Sequence, residues 1–154
     1  MKSIDALIAS HLSQVLRPQR SPWFETDDEL TSELRTIRVL AKAPPQLVGE
    51  TTALGEIVNL LLVHRVDAVV VVDATNTPCG TVSASDVLRA RPDWTAADAM
   101  SAVTVQRANA SVEATAQLMA RAHAQHVVIV EGEQILGLAS ALDVLAATCL
   151  ASHH

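Results

Sequence analysis

The chain has 154 residues, enough for one core or for two small units sharing one, and too few for a multidomain enzyme. Hydrophobic residues make up 49% and charged residues 18%, which excludes a disordered chain, and only Trp23, Phe24 and Trp94 are aromatic, so the core is built from Val, Leu, Ile and Ala. Seventeen acidic residues against eleven basic ones leave −6 with His neutral, which argues against nucleic-acid binding over a broad basic face, and an anionic ligand needs a local pocket.

At the N-terminus, Met1, Lys2, Ser3, Ile4 and Asp5 form no export signal, so a cytoplasmic location is expected. Ile4, Leu7, Ile8, Leu12, Val15 and Leu16 make one apolar helical stripe that stops before Pro18. Thr26, Asp27, Asp28 and Glu29 read as a capping box opening a second helix through Leu34 and Ile37, which ends before Pro44 and Pro45. Between these helices Trp23 and Phe24 form an apolar plug for the protein's own core or for a partner.

From residue 46 the chain repeats itself. An extended piece over residues 46–48 leads to a helix marked by Leu54, Ile57, Val58 and Leu61, then to a continuous β-branched run over 68–72, the pattern of a strand buried on both faces. A turn over residues 73–78 follows, then Gly80-Thr81-Val82-Ser83-Ala84-Ser85-Asp86-Val87-Leu88, a strand running into a helix. Asn59, His64, Arg65 and Asp67 interrupt the longest apolar stretch, so it is not a membrane span.

Arg91, Pro92 and Asp93 mark a linker, after which the order returns: an extended piece over 103–106, a helix with Val112, Thr115, Ala116 and Met119, a strand over 127–130, and a turn over 131–133. The closing nonapeptide Gly137-Leu138-Ala139-Ser140-Ala141-Leu142-Asp143-Val144-Leu145 matches the first at an offset of 57, whereas the strands match at 58, so the odd residue falls in the turn. The expected fold class is α/β of the α+β type. It comprises a helical extension over 1–35, β-α-β-β-α repeats over 36–92 and 93–150, and a tail over 151–154.

Gly-x-x-Ser-x-x-Asp, twice at a strand-to-helix junction, has two physical readings. Ser83 and Ser140 can be N-caps, with Asp86 and Asp143 placed at N3 where the helix dipole favours a carboxylate. Equally, the free amides, a hydroxyl and a carboxylate suit a ribose and a phosphate, and the glycine lets a ligand approach the backbone.

This repeat resembles a tandem pair of cystathionine-β-synthase-type (CBS) domains, a Bateman module, over roughly residues 36–150. Gly80, Ser83 and Asp86, and again Gly137, Ser140 and Asp143, stand at that family's motif positions. The resemblance implies two repeats packed by pseudo-twofold symmetry, with clefts for AMP, ADP, ATP or S-adenosylmethionine as regulatory ligand and no cofactor required. It places ribose hydroxyls on Asp86 and Asp143, ribose or phosphate on Ser83 and Ser140, and a further phosphate contact on Ser85. Leu142 stands in place of that last serine in the second repeat, which favours the Ser83-Ser85-Asp86 corner for phosphate. Adenine is expected against Val69 and Val70 with Ala43, and against Val127 and Val128 with Ser101. Val70 and Val128 replace the family's usual proline, and Pro44-Pro45 fill the loop before the first short strand.

Arg65, Arg107, Arg121 and His123 are the candidate phosphate cations, although each also suits solvated surface. His123 with His126, and His153 with His154, lack acidic or thiolate partners, so no metal site is expected. Cys79 and Cys149 have no CxxC spacing and read as free thiols. No nucleophile elbow, phosphate-binding loop or zinc-protease motif is present, and no enzyme activity is expected. The expected function is a homodimeric sensor of an adenosine-containing ligand, with no nucleic-acid or membrane partner. Its rival is a ligand-free interaction protein that presents residues 1–41 to a partner.

Overall fold

The structure, a computed structural model, describes residues 36–151. The helix expected over residues 4–16, the capping box at 26–29, Trp23, Phe24, His153 and His154 lie outside the described residues.

Strand β1 (Leu47–Gly49) runs parallel to β2 (Ala68–Val72), and the eleven-residue helix α1 (Leu54–His64) makes the crossover. Leu54, Ile57 and Leu61 fall on one face of α1 and are buried, and the helix ends where Arg65 turns left-handed at φ 51°. β3 (Pro78–Ser83) returns antiparallel to β2, and α2 (Ala84–Arg89) starts at Ser83. The second unit repeats this plan. β5 (Val105–Arg107) lies parallel to β6 (His126–Glu131), α4 (Val112–Ala122) connects them, and β7 (Gln134–Ser140) returns antiparallel and feeds α5 (Ala141–Ala151).

The hairpins explain the one-residue difference in offset. Between Val72↔Pro78 and between Val130↔Ile135 lie loops 73–77 and 131–134, and both ladders shift register at the same place, Val71/Val72 and Ile129/Val130. The longer loop is held by Asp73, whose Oδ1 accepts from the amides of Thr75 (2.9 Å) and Thr77 (3.1 Å), with Asn76 left-handed at φ 65°. The shorter one turns on Gly132 at φ 59°.

Two further segments differ from the sequence reading, which runs a helix through Ile37 towards Pro44 and has no helix over residues 96–99. A 3-10 turn over Ile37–Leu40 and a short helix α3 (Ala96–Ala99), capped by Thr95 and Asp98, dock in equivalent ways on opposite units. The Ala96 amide donates to Thr52 O (2.9 Å) and the Ala97 amide to Glu50 O (2.9 Å). In the second unit the Ile37 amide donates to Ala110 O (2.8 Å) and the Arg38 amide to Ala108 O (3.1 Å). The cores cross accordingly. Ala96 and Ala99 join Val48, Ile57, Val69, Val71 and Val82, whereas Ile37 joins Met119, Val127, Ile129, Ala139 and Val144.

After α3, β4 (Ser101–Ala102) adds a fourth strand to the first sheet by pairing with β3. The second sheet has three strands. The counterparts of Ala102 and Val103 at the offset of 58 are Pro44 and Pro45, which have no amide to give to a ladder.

Candidate ligand-binding site

Both serine and aspartate pairs fold as reciprocal caps. In the first, the Asp86 amide donates to Ser83 Oγ (3.3 Å) and the Ser83 amide to Asp86 Oδ2 (2.8 Å). In the second, the Asp143 amide donates to Ser140 Oγ (3.1 Å) and the Ser140 amide to Asp143 Oδ2 (2.9 Å). Each corner sits where a buried strand ends, Ser83 opposite Ala68 and Ser140 opposite His126. Backbone, hydroxyl and carboxylate converge as the sequence expects.

The two carboxylates nevertheless differ. Asp86 is 6% exposed and accepts three further bonds, from Ser83 Oγ to Oδ2 (2.9 Å), and from Ser101 Oγ (2.7 Å) and Arg89 Nη2 (3.0 Å) to Oδ1. Burial pushes the Asp86 carboxyl up. The Ser83 amide, the Ser101 and Ser83 hydroxyls and Arg89 outweigh it and hold the group below the usual carboxylate value. Asp143 is exposed, and its Oδ1 has no hydrogen-bond partner among the described residues.

Other expected residues divide by position. Val69 and Val127 are fully buried in the helix-side cores, so their side chains are closed to a ligand. Val70 and Val128, also fully buried, lie on the opposite face of their strands. The space over Gly80 and Gly137, expected to admit a ligand, holds protein instead: a Cβ on Gly80 meets Met100 Sδ at 2.5 Å, and one on Gly137 meets Ala41 Cα at 2.7 Å. The motif glycines let the crossing segments pass. Ala43 and Ser85 are exposed, as is Leu142.

Among the cations, Arg65 and His123 occupy the same place in each repeat, the left-handed C-cap of the first helix. Arg121 lies in the last turn of α4, and the connection that follows touches the second corner, the Ala141 amide donating to Gln125 O (2.8 Å). Arg107 stands apart from the second corner in the sheet. It pairs with Val130, near the far end of β6 from His126 and Ser140, and so lies about 13 Å along the strand from the corner.

Sequence reading missed Arg89 and His126. Arg89 stands three residues after Asp86 on a helix, a spacing that brings side chains together, and that signal was available. His126 is half-buried at the strand position facing Ser140 and feels Asp67, Asp86 and Asp143; burial outweighs them and pushes the imidazole below its usual value. Cys79 donates to Val71 O (3.4 Å), and burial with Glu50 and Asp73 nearby raises its thiol, the state of an unreactive structural cysteine.

Residues 37–93 match the family model of the CBS domain. A CBS-domain protein from Pyrobaculum aerophilum, solved complexed with AMP, is 26% identical with a TM-score of 0.65, the match covering 75% of this chain and 98% of that one. A CBS-domain-containing protein from Agrobacterium tumefaciens is 24% identical with a TM-score of 0.61, covering 71% of this chain and 89% of that one. The CBS domain of a membrane protein from Sphaerobacter thermophilus is 18% identical with a TM-score of 0.64, covering 80% and 96%. No curated protein has a matching sequence. Residues 37–93, built as βαββα, are thus similar in sequence to the CBS domain, and the second repeat is built on the same plan.

Proposed function

We propose that this chain is a non-catalytic, cytoplasmic sensor module that binds an adenosine-containing ligand, AMP, ADP, ATP or S-adenosylmethionine, between its repeats at 36–92 and 93–150. Binding is signalled as a change in how the repeats pack. The observation that carries this reading is the Asp143 corner, where an exposed carboxylate with one oxygen unbonded among the described residues stands beside the Ser140 cap at the start of an eleven-residue helix. A ribose cis-diol donates two hydrogen bonds to such a carboxylate, and the helix N-terminus favours the phosphate. The AMP held by the Pyrobaculum protein supports an adenine nucleotide as the ligand class.

A ligand shifts a packing equilibrium only through different affinity for the two arrangements, and the clefts between repeats are where such a difference arises. Homodimerisation belongs to the same proposal and is supported by exposed apolar side chains on the outer helices, Leu62, Val63, Leu88 and Leu142. A second reading, a ligand-free interaction protein whose serines and aspartates only cap helices, is favoured by the complete capping box at Ser83 and Asp86.

Thermal unfolding separates the two. A ligand at a hundred times its Kd adds about 2.7 kcal/mol of stability, which raises the Tm of a chain this size by roughly 5–10 °C. The sensor reading expects that shift with at least one of the four ligands and its loss in Asp143→Ala. No shift with any of them supports the interaction reading.

A further inference from the structure

The two corners share one motif, yet one carboxylate is saturated and the other keeps an oxygen without a hydrogen-bond partner among the described residues. A carboxylate has about four acceptor positions. All four on Asp86 are taken, by the Ser83 amide and hydroxyl on Oδ2 and by Ser101 and Arg89 on Oδ1. The Ser83 amide contact has its copy in Ser140, whereas the Oδ1 contacts are peculiar to the first repeat. At the offset of 58 the counterpart of Ser101 is Ala43, and at the offset of 57 the counterpart of Arg89 is Ala146. Alanine gives neither bond, and both alanines are exposed.

The Ser101 contact is also the longer-range one. Ser101 lies on β4, in the segment that enters the second repeat, so its 2.7 Å bond ties that segment to the α2 corner of the first. The prolines at 44 and 45 leave the second corner without an equivalent strand to bring a donor close.

We propose that Ser101 and Arg89 form a latch that closes the Asp86 corner to ribose, so that each chain takes one adenosine ligand, at the Asp143 corner. This reverses the preference for the Ser83-Ser85-Asp86 corner drawn from sequence, and it rests on the sensor reading above. The latch fixes stoichiometry. It also joins the repeats at the corner that holds no ligand, leaving the Asp143 side as the one where occupancy changes packing.

The test exchanges the two corners by substituting exposed positions only. AMP is titrated calorimetrically into the full chain, into Ser101→Ala/Arg89→Ala, and into Ala43→Ser/Ala146→Arg. The latch predicts one AMP per wild-type chain, two per chain in the first variant, and a loss of affinity of about tenfold or more in the second. Two sites in the wild type, or one site still in Ser101→Ala/Arg89→Ala, overturns it. Carboxyl NMR titration decides the latch without any ligand: the Asp86 carboxyl titrates below the usual carboxylate value in the wild type and rises towards it in the first variant, and an unmoved Asp86 overturns the latch. AMP silence in all three proteins counts against the sensor reading, while the NMR result still decides the contact.

Discussion

At the scale of the residue, the molecule contains two groups whose folded environments shift their protonation in different pH ranges, against the charge of His126 and in favour of the charge of Asp86. His126 has a folded pKa pushed below its unfolded value by burial, so the unfolded chain binds more protons as pH falls. Its contribution to stability is full above about pH 6.5 and declines as pH falls below that. Asp86 is held down by its four hydrogen bonds, so its contribution is present above about pH 3.9 and is lost as pH falls through the folded value. The urea midpoint therefore drops between pH 7 and 5, and His126→Gln removes this part of the drop; a variant with the wild-type slope contradicts the assignment. Ser101→Ala flattens the further loss below pH 4. The capping role of Ser83 and Ser140 was legible in sequence because it is local, three residues from donor to acceptor. The Ser101–Asp86 bond spans fifteen residues and depends on where β4 lands, which periodicity does not encode.

At the scale of the element, the repeated strands, helices and turns follow from patterns within a few residues, and these were legible. The β-branched runs became β2 and β6, and the odd residue fell in the first hairpin loop. The expected extended pieces shifted only slightly, to Leu47–Gly49 and Val105–Arg107. The short elements were not legible. The 3-10 turn and α3 share little beyond Thr36 and Thr95, so the repeat fades exactly where tertiary docking takes over, and β4 is decided by which flanking segment carries prolines. The motif glycines belong to this scale, because their purpose is set by the element that crosses them. Gly137→Ala drives a methyl into the backbone of Ala41, and Gly80→Ala drives one into Met100, whose Cβ at 2.9 Å is fixed to the backbone. Overpacking of this kind costs about 1–3 kcal/mol. Both substitutions lower the urea midpoint by a loss in that range, and an unchanged midpoint in either contradicts the crossing-segment role.

At the scale of the whole molecule, each core is completed by a segment that belongs in sequence to the other repeat, so neither repeat closes its core from its own residues alone. Ile37 is fully buried among Met119, Val127, Ile129 and Val144, although it precedes β1 by ten residues and β5 by far more. Truncating it to Ala removes a large buried side chain and costs about 2–5 kcal/mol. That loss is read as a lowered urea midpoint with the second unit unfolding first, and a loss within the range of an exposed substitution contradicts the crossed-core arrangement. The exposed Arg38–Glu131 pair beside it is screened and adds little. This interleaving makes each repeat depend on a segment of the other for its core. The central claim, that an adenosine ligand sits on the motif aspartate, is tested most directly by calorimetric titration of AMP into the full chain and into Asp143→Ala, at two temperatures so that a zero enthalpy is not mistaken for no binding. Saturable binding to the wild type that is lost in Asp143→Ala is the predicted result; no heat at either temperature, or binding unchanged by the substitution, contradicts it.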